Sequence, residues 1–183
     1  MIEKYAVIRA MHAILARPNK KFSIVALAKE AKMAPSAASY ALEYMLEEGM
    51  VGLEVIGRTH QYKTDLSSFL ARQWKVLFSL DEIKKSGFAE SVLKKVKNVT
   101  SIILYGSVAT GRDDEKSDID IIVIADAKKT AAVFEKAGIG ARELNVQIYT
   151  PAEWRRKAGV DKAFYDNAII DSIVLYGEKP VVL

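Results

Sequence analysis

The chain has 183 residues, half of them hydrophobic, enough for one ordinary domain or two small ones with a real core. Its 27 Lys and Arg against 23 Asp and Glu leave a net charge of +4, concentrated in the first hundred residues and too mild to identify an anionic partner alone. The lack of cysteine excludes disulfides and thiolate metal sites. With no basic-then-apolar leader and no apolar run near the ~18 residues of a membrane span, a soluble cytoplasmic protein with no membrane partner is expected.

Residues 3–16 (EKYAVIRAMHAILA) set apolar side chains at helical spacing and close on Arg17-Pro18-Asn19, a helix stop. Ser23 predicts the N-cap of a short helix over 24–32. Ala34-Pro35-Ser36 predicts a turn, with Ser36 capping a helix that runs to about Glu48 and Gly49 in the glycine position beyond its end. Residues 51–55 and 60–63, around Ile56-Gly57-Arg58-Thr59, read as two short strands about a tight turn. Three helices followed by a hairpin is the order of a winged helix-turn-helix, here over residues 1–65.

Three patterns between residues 22 and 63 carry a resemblance: S-x-x-x-L-A-K-E-A from Ser23, P-S-x-x-S-Y-x-L from Pro35, and L-E-E-G-M-V from Leu46. The stretch resembles the winged helix-turn-helix domains of prokaryotic transcription regulators. That resemblance implies double-stranded DNA as partner, with Ser36, Ala37, Ser39 and Tyr40 facing the major groove and Arg58, His60 and Lys63 on the wing along the backbone. It also implies a homodimer reading paired half-sites. The groove-facing helix has no Lys or Arg before Glu43, which removes strong guanine readout by a basic side chain. A protein partner, met through dimerisation or docking, is the competing use of the same domain.

Residues 66–80 (LSSFLARQWKVLFSL) predict an amphipathic connector helix with Leu66, Phe69, Leu70, Trp74 and Leu77 near one stripe. Trp74 and His12 read as core or helix-face residues. Residues 81–98 predict another helix, with Phe88, Val92, Leu93 and Val96 on its apolar side and the lysines at 84, 85, 94, 95 and 97 as a solvated face. From residue 99 strands and helices alternate: strands over 101–105, 119–125 and 146–149, a helix over 130–136, helical parts within 152–171, and a closing strand over 173–176. The expected fold is α+β in two domains, the second a small mixed-sheet α/β domain over residues 81–183.

Within that domain, residues 101–126 read SIILYGSVATGRDDEKSDIDIIVIAD. Residues alternate faces along a strand, so Asp118 and Asp120 point the same way, ~6–7 Å apart. Two carboxylates on one face of a buried strand are costly unless a cation sits between them. The pair suits a hard divalent ion, Mg²⁺ or Mn²⁺, that keeps waters and takes phosphate oxygens as further ligands. Gly106 and Ser107 fall where the preceding strand turns into a helix expected near Val108. Glycine allows a close phosphate approach, and the hydroxyl and backbone amides supply donors. Arg112 is the nearest cation on the loop. The ten residues between Ser107 and Asp118 suffice for a helical turn and a return to the adjacent strand, so nucleotidyl transfer from a nucleoside triphosphate is the implied chemistry.

The string G-S-x10-D-x-D, with the I-I-L-Y-G-S approach and the closing S-I-V-L-Y-G, resembles the minimal nucleotidyltransferases of the DNA polymerase β superfamily. These include antitoxin-type and kanamycin nucleotidyltransferase-like proteins. The resemblance covers about residues 85–180. It implies Asp118 and Asp120 as catalytic metal ligands, Gly106, Ser107 and Arg112 at the nucleotide, and a third carboxylate on a later strand. Counted onto ELNVQIYTPAEW, that third place falls on Gln147, an amide that is neither a general base nor a good Mg²⁺ ligand. Glu153, past Pro151, reads as a helix cap. Two functions follow: a DNA-binding regulator whose transferase-like domain binds nucleotide and metal with weak or no catalysis, and an active transferase moving NMP to a hydroxyl on a protein, small molecule or RNA. Gln147 favours the first.

Overall fold

Apolar residues three and four apart fold the start of the chain into helix α1 (Ala6–Leu15), which buries Ala10, Met11, Ile14 and Leu15. The structure is a computed structural model that describes residues 4–126, 138–140 and 142–182. It is a mixed α+β protein with two sheets, and it divides into the units Met1–Phe78 and Ser79–Leu183. The helix expected over 130–136 lies outside the described residues. Among the described residues no helix is long and apolar enough to cross a membrane.

In the first unit, α2 (Ile24–Glu30) starts where the Ser23 hydroxyl accepts the Ala26 amide at 3.2 Å. Helix α3 (Pro35–Glu47) begins one residue before the expected cap. Ala34 is the N-cap and Pro35 the first helical residue, because proline lacks the N–H that position leaves unpaired and already has a helical φ. Ser36 is therefore inside the helix and does not cap it. Strands β1 (Val51–Ile56) and β2 (Thr59–Thr64) form an antiparallel hairpin whose two-residue turn has Gly57 at φ 62°. Phe22 and Tyr62 exchange backbone bonds of 2.8 Å, tying the hairpin to the segment before α2. Phe22, Leu27, Leu42, Met45 and Met50 join the α1 residues in one core.

Helix α4 (Phe69–Lys85) replaces the two helices expected on either side of residue 81. Nothing at residues 80–81 breaks a helix; the stop comes at Ser86-Gly87, where the Ser86 hydroxyl donates to the Ile83 carbonyl at 2.7 Å and Gly87 takes φ 67°. The expected stripe holds in part, with Leu70 and Trp74 packed against the core. Phe69 and Leu77 are exposed, while Ala71, Lys75, Val76 and Phe78 are buried. The departure follows from Lys75: its ammonium donates to the Leu15 carbonyl at 3.0 Å, and the Thr64 hydroxyl donates to the Ile14 carbonyl at the same distance. Cation and hydroxyl together satisfy the carbonyl end of α1.

The second unit continues through α5 (Phe88–Lys95), β3 (Val99–Tyr105), α6 (Gly106–Thr110), β4 (Ile119–Ala125), β5 (Gly138–Ile139), β6 (Arg142–Tyr149), α7 (Pro151–Val160), α8 (Lys162–Ile170) and β7 (Ile173–Gly177). The sheet order is β5-β6-β4-β3-β7, with β4 and β6 parallel and the other neighbours antiparallel. Strand β6 is longer than the expected 146–149, since Glu143, Asn145 and Gln147 alternate with Leu144, Val146 and Ile148. Parity divides the core. Ile102, Leu104, Ile119, Ile121 and Val123 pack with Phe88 and Val92 on one face, and Ile103, Tyr105, Ile122 and Ile124 pack with Trp154, Tyr165 and Ala168 on the other. Residues 178–182 form a strap along the unit. The Ser101 hydroxyl donates to the Glu178 carbonyl (2.6 Å), the Trp154 indole N–H to the Pro180 carbonyl (2.7 Å), and the Val182 amide to the Tyr165 hydroxyl (2.6 Å).

Thr64→Val tests the capping of α1, because it keeps the shape and strand preference of Thr64 and removes only the hydroxyl. Urea unfolding of the variant is expected to show a loss of about 1 kcal/mol with the m-value unchanged.

Candidate functional site

The antiparallel register sets Tyr105 of β3 directly opposite Asp120 of β4, and the parallel register sets Asn145 of β6 on the other flank of Asp120. All three project from one sheet face. Asp118 stands two residues before Asp120, exposed, just ahead of β4. Gln147 pairs with Ile122, one step further into the sheet, so the residue beside Asp120 is Asn145 and not Gln147. The Asn145 amide donates to Asp120 Oδ1 at 2.9 Å. The expected third position, Gln147, lies two residues further along β6 than the neighbour of Asp120.

Gly106 closes the other side of the carboxylate. It has φ 75°, and a Cβ added there would stand 2.7 Å from Asp120 Oδ2. Glycine is therefore required by the Asp120 side chain itself, in addition to any approach by a ligand. Helix α6 starts at Gly106, two residues before its expected start at Val108, with Tyr105 as N-cap. Ser107 is half-buried in its first turn, its carbonyl accepting the Arg112 amide at 2.9 Å. The Arg112 side chain is exposed on the loop that follows. The structure thus gathers Gly106, Asp118 and Asp120, leaves Gln147 one row away, and sets Arg112 at the rim.

The charges here are under tension. Burial, and after it the charge of Asp118, push the Asp120 pKa up, while the bond from Asn145 pulls it down. Burial, with the charge of Asp120 adding to it, pushes the Tyr105 phenol up to about 12. Gln147 is engaged at both ends of its amide: it donates through Nε2 to the Tyr105 hydroxyl at 3.0 Å and accepts the Tyr149 hydroxyl on Oε1 at 2.7 Å. Tyr105, Asn145 and Tyr149 were not singled out by sequence reasoning. The signal available for the two β6 residues was their period-2 spacing with Gln147.

The pair Asp118 and Asp120 fits a divalent cation. The charge of Asp118 disfavours the ionised form of Asp120; a positive ion relieves that repulsion, and hard carboxylate oxygens suit Mg²⁺ or Mn²⁺. Among the described residues no group of three or more His, Cys, Asp or Glu comes together, so the protein side supplies this pair and the amide of Asn145. Such an ion, when bound, supplies charge neutralisation for phosphate oxygens.

Behind the site, Arg142 at the start of β6 donates to Asp113 Oδ2 (3.2 Å), Glu82 Oε2 (2.8 Å) and the Ser79 hydroxyl (3.2 Å). This fixes the loop between α6 and β4 to the end of α4. Glu153 caps α7 in a reciprocal pairing with Thr150, as its position after Pro151 suggested.

In the first unit, Ser36 and Tyr40 are exposed on α3, Tyr40 at 72 %, while Ala37 and Ser39 are half-buried and the Ser39 hydroxyl donates to Glu43 at 3.3 Å. Glu43, Tyr44 and Glu47 continue the exposed face. Arg58, His60 and Lys63 are all exposed on the hairpin, Arg58 in its turn. Strand parity sends His60 to the side of Tyr62 and Lys63 to the opposite side. Only one of those two can lie on the same hairpin face as a given ligand.

A family model described as polymerase beta, nucleotidyltransferase, matches residues 89–180. No curated protein matches the chain. A solved structure, Sso10a-2, a DNA-binding protein from Sulfolobus solfataricus, is similar at 15% identity over 50% of this chain and 97% of that one, with a TM-score of 0.37.

Because the folded-state pKa of Asp120 is raised, its charged form costs stability above that value, and the cost vanishes as pH falls below the ordinary carboxylate range. Asp120→Asn, which keeps an acceptor for Asn145, is expected to raise the metal-free melting temperature at neutral pH. The gain should fade in acid, as thermal melts across a pH series would show.

Proposed function

The chain belongs to the polymerase beta nucleotidyltransferase family, and on that premise we propose that it is a dimeric DNA-binding transcription regulator. Its second unit holds a nucleoside triphosphate with Mg²⁺ or Mn²⁺ on Asp118 and Asp120 and turns it over slowly or not at all. The observation that carries this reading is the 2.9 Å bond from Asn145 to Asp120. The strand position beside the metal carboxylate holds an amide, which cannot take a proton from an attacking hydroxyl and is a weak Mg²⁺ ligand. What remains is suited to binding: two carboxylates for the metal, the Gly106-Ser107 turn for phosphate, and Arg112 at the rim.

The DNA-binding part rests on the element order of three helices and a hairpin, and on the exposure of Ser36, Tyr40, Arg58, His60 and Lys63. The groove-facing helix presents Glu43 and Glu47 but no cation, so the positive charge that meets phosphate comes from the wing. Contacts of that kind position a protein on DNA more than they specify sequence.

Calorimetry with each NTP is expected to show binding only with a divalent ion, lost in Asp118→Ala; equal affinity in EDTA overturns the metal site. Asn145→Asp places a carboxylate beside Asp120 and is expected to raise pyrophosphate release by about 10²–10⁴-fold, the usual worth of a positioned general base. Gln147→Asp, one row away and between two tyrosines, should raise it far less. A parent enzyme that already turns over briskly, with no gain from Asn145→Asp, makes the protein an ordinary transferase.

Duplex DNA affinity is expected to fall steeply with salt, and Arg58→Ala to flatten that slope by about one unit while weakening all sequences alike. A flat slope in the parent assigns the first unit to protein contact.

A further inference from the structure

We infer that the Tyr105 hydroxyl is a hydrogen-bond donor to a phosphate oxygen of the ligand held at Asp118 and Asp120, and that Gln147 and Tyr149 are the positioning residues that aim it. This deepens the nucleotide-binding reading above and rests on it. Tyr105 lies across the ladder from Asp120, on the same face, and is nine-tenths buried. Its hydroxyl accepts the Gln147 Nε2 proton at 3.0 Å, and Gln147 is its only hydrogen-bond partner among the described residues. A phenol that accepts one bond still has its own proton to give.

Gln147 cannot receive that proton. Its carbonyl oxygen is held by the Tyr149 hydroxyl at 2.7 Å, which fixes the amide with its NH₂ end toward Tyr105. Reversing the amide would set its NH₂ against the Tyr149 hydroxyl and lose the 2.7 Å bond. The Tyr105 proton is therefore directed out of the network, and a buried donor without an acceptor is costly. Asp120 does not take it either; the bond that carboxylate accepts comes from Asn145. The group brought nearest by a metal on Asp120 is phosphate, whose oxygens are strong acceptors. The ring packs edge-on against Phe164, with centroids 5.9 Å apart.

The test uses the full chain and calorimetry with Mg²⁺ plus ATP and, separately, Mg²⁺ plus inorganic tripolyphosphate. Tyr105→Phe is expected to weaken both about tenfold, the worth of one charge-assisted bond. Tyr149→Phe, which frees the Gln147 amide, is expected to weaken both about threefold. In the double variant Tyr149→Phe should add nothing, because the hydroxyl it aims is already gone; a merely structural role for Tyr149 gives additive losses. If the parent binds both ligands and Tyr105→Phe binds them equally well, the donor role is overturned while the metal and nucleotide site stands. An affinity for tripolyphosphate that is unchanged while ATP weakens overturns the assignment to phosphate. A parent that binds neither ligand overturns both readings together.

Discussion

The second unit is organised around one electrostatic difficulty: Asp120 keeps a carboxylate half-buried on a sheet face beside a second carboxylate two residues away. Nearly everything around it offsets that difficulty in part. Asn145 donates to one oxygen, Gly106 gives up a side chain so that the other oxygen has room, and Tyr105 brings a polar edge where Ile103, deeper on the same strand, brings none. The site is less stable than an apolar sheet end would be. That is the usual condition of a surface built to receive a cation.

The amide neighbours of Asp120 and Tyr105 have different jobs. Asn145 satisfies charge directly, whereas Gln147 is held by two tyrosines and acts on orientation. Substituting an amide for a carboxylate on β6 removes proton-accepting chemistry but keeps the hydrogen-bond geometry. The Arg142 contacts to Asp113 and Glu82 add rigidity behind the loop that carries Arg112. That loop is thereby anchored to α4 by charge-assisted bonds.

Much of this was legible in the residues. Ser23 and Glu153 announced their helix starts, and Gly49 and Gly57 marked their turns. What failed, failed for stated reasons. The pairing of β6 with β4 is a parallel, non-local register, so no spacing within the segment 142–149 tells whether Asn145 or Gln147 flanks Asp120. Ser36 lost the cap to Ala34 because Pro35 takes the first helical position. On α4 the apolar count suggested a stripe through Phe69 and Leu77, but the buried face was fixed by a lysine, Lys75, whose partner is a helix end some sixty residues earlier. Polar residues that satisfy distant backbone groups leave no periodic trace.

The strap over residues 178–182 bears on the order in which the protein is made. Strand β3 pairs with β7, and the strap is bonded to Ser101, Trp154 and Tyr165, so the second unit cannot close its sheet or cover its aromatic core until its last ten residues exist. The core contacts of the first unit all lie within residues 8–78. On a ribosome, where chains emerge from the N-terminus and domains fold as units, the first unit can fold while the second is still an open β3–β4 ladder. For that interval the apolar strands Ile102–Leu104 and Ile121–Ile124 have one edge without a partner. Until β7 emerges, that open edge is free to pair with a strand of another chain.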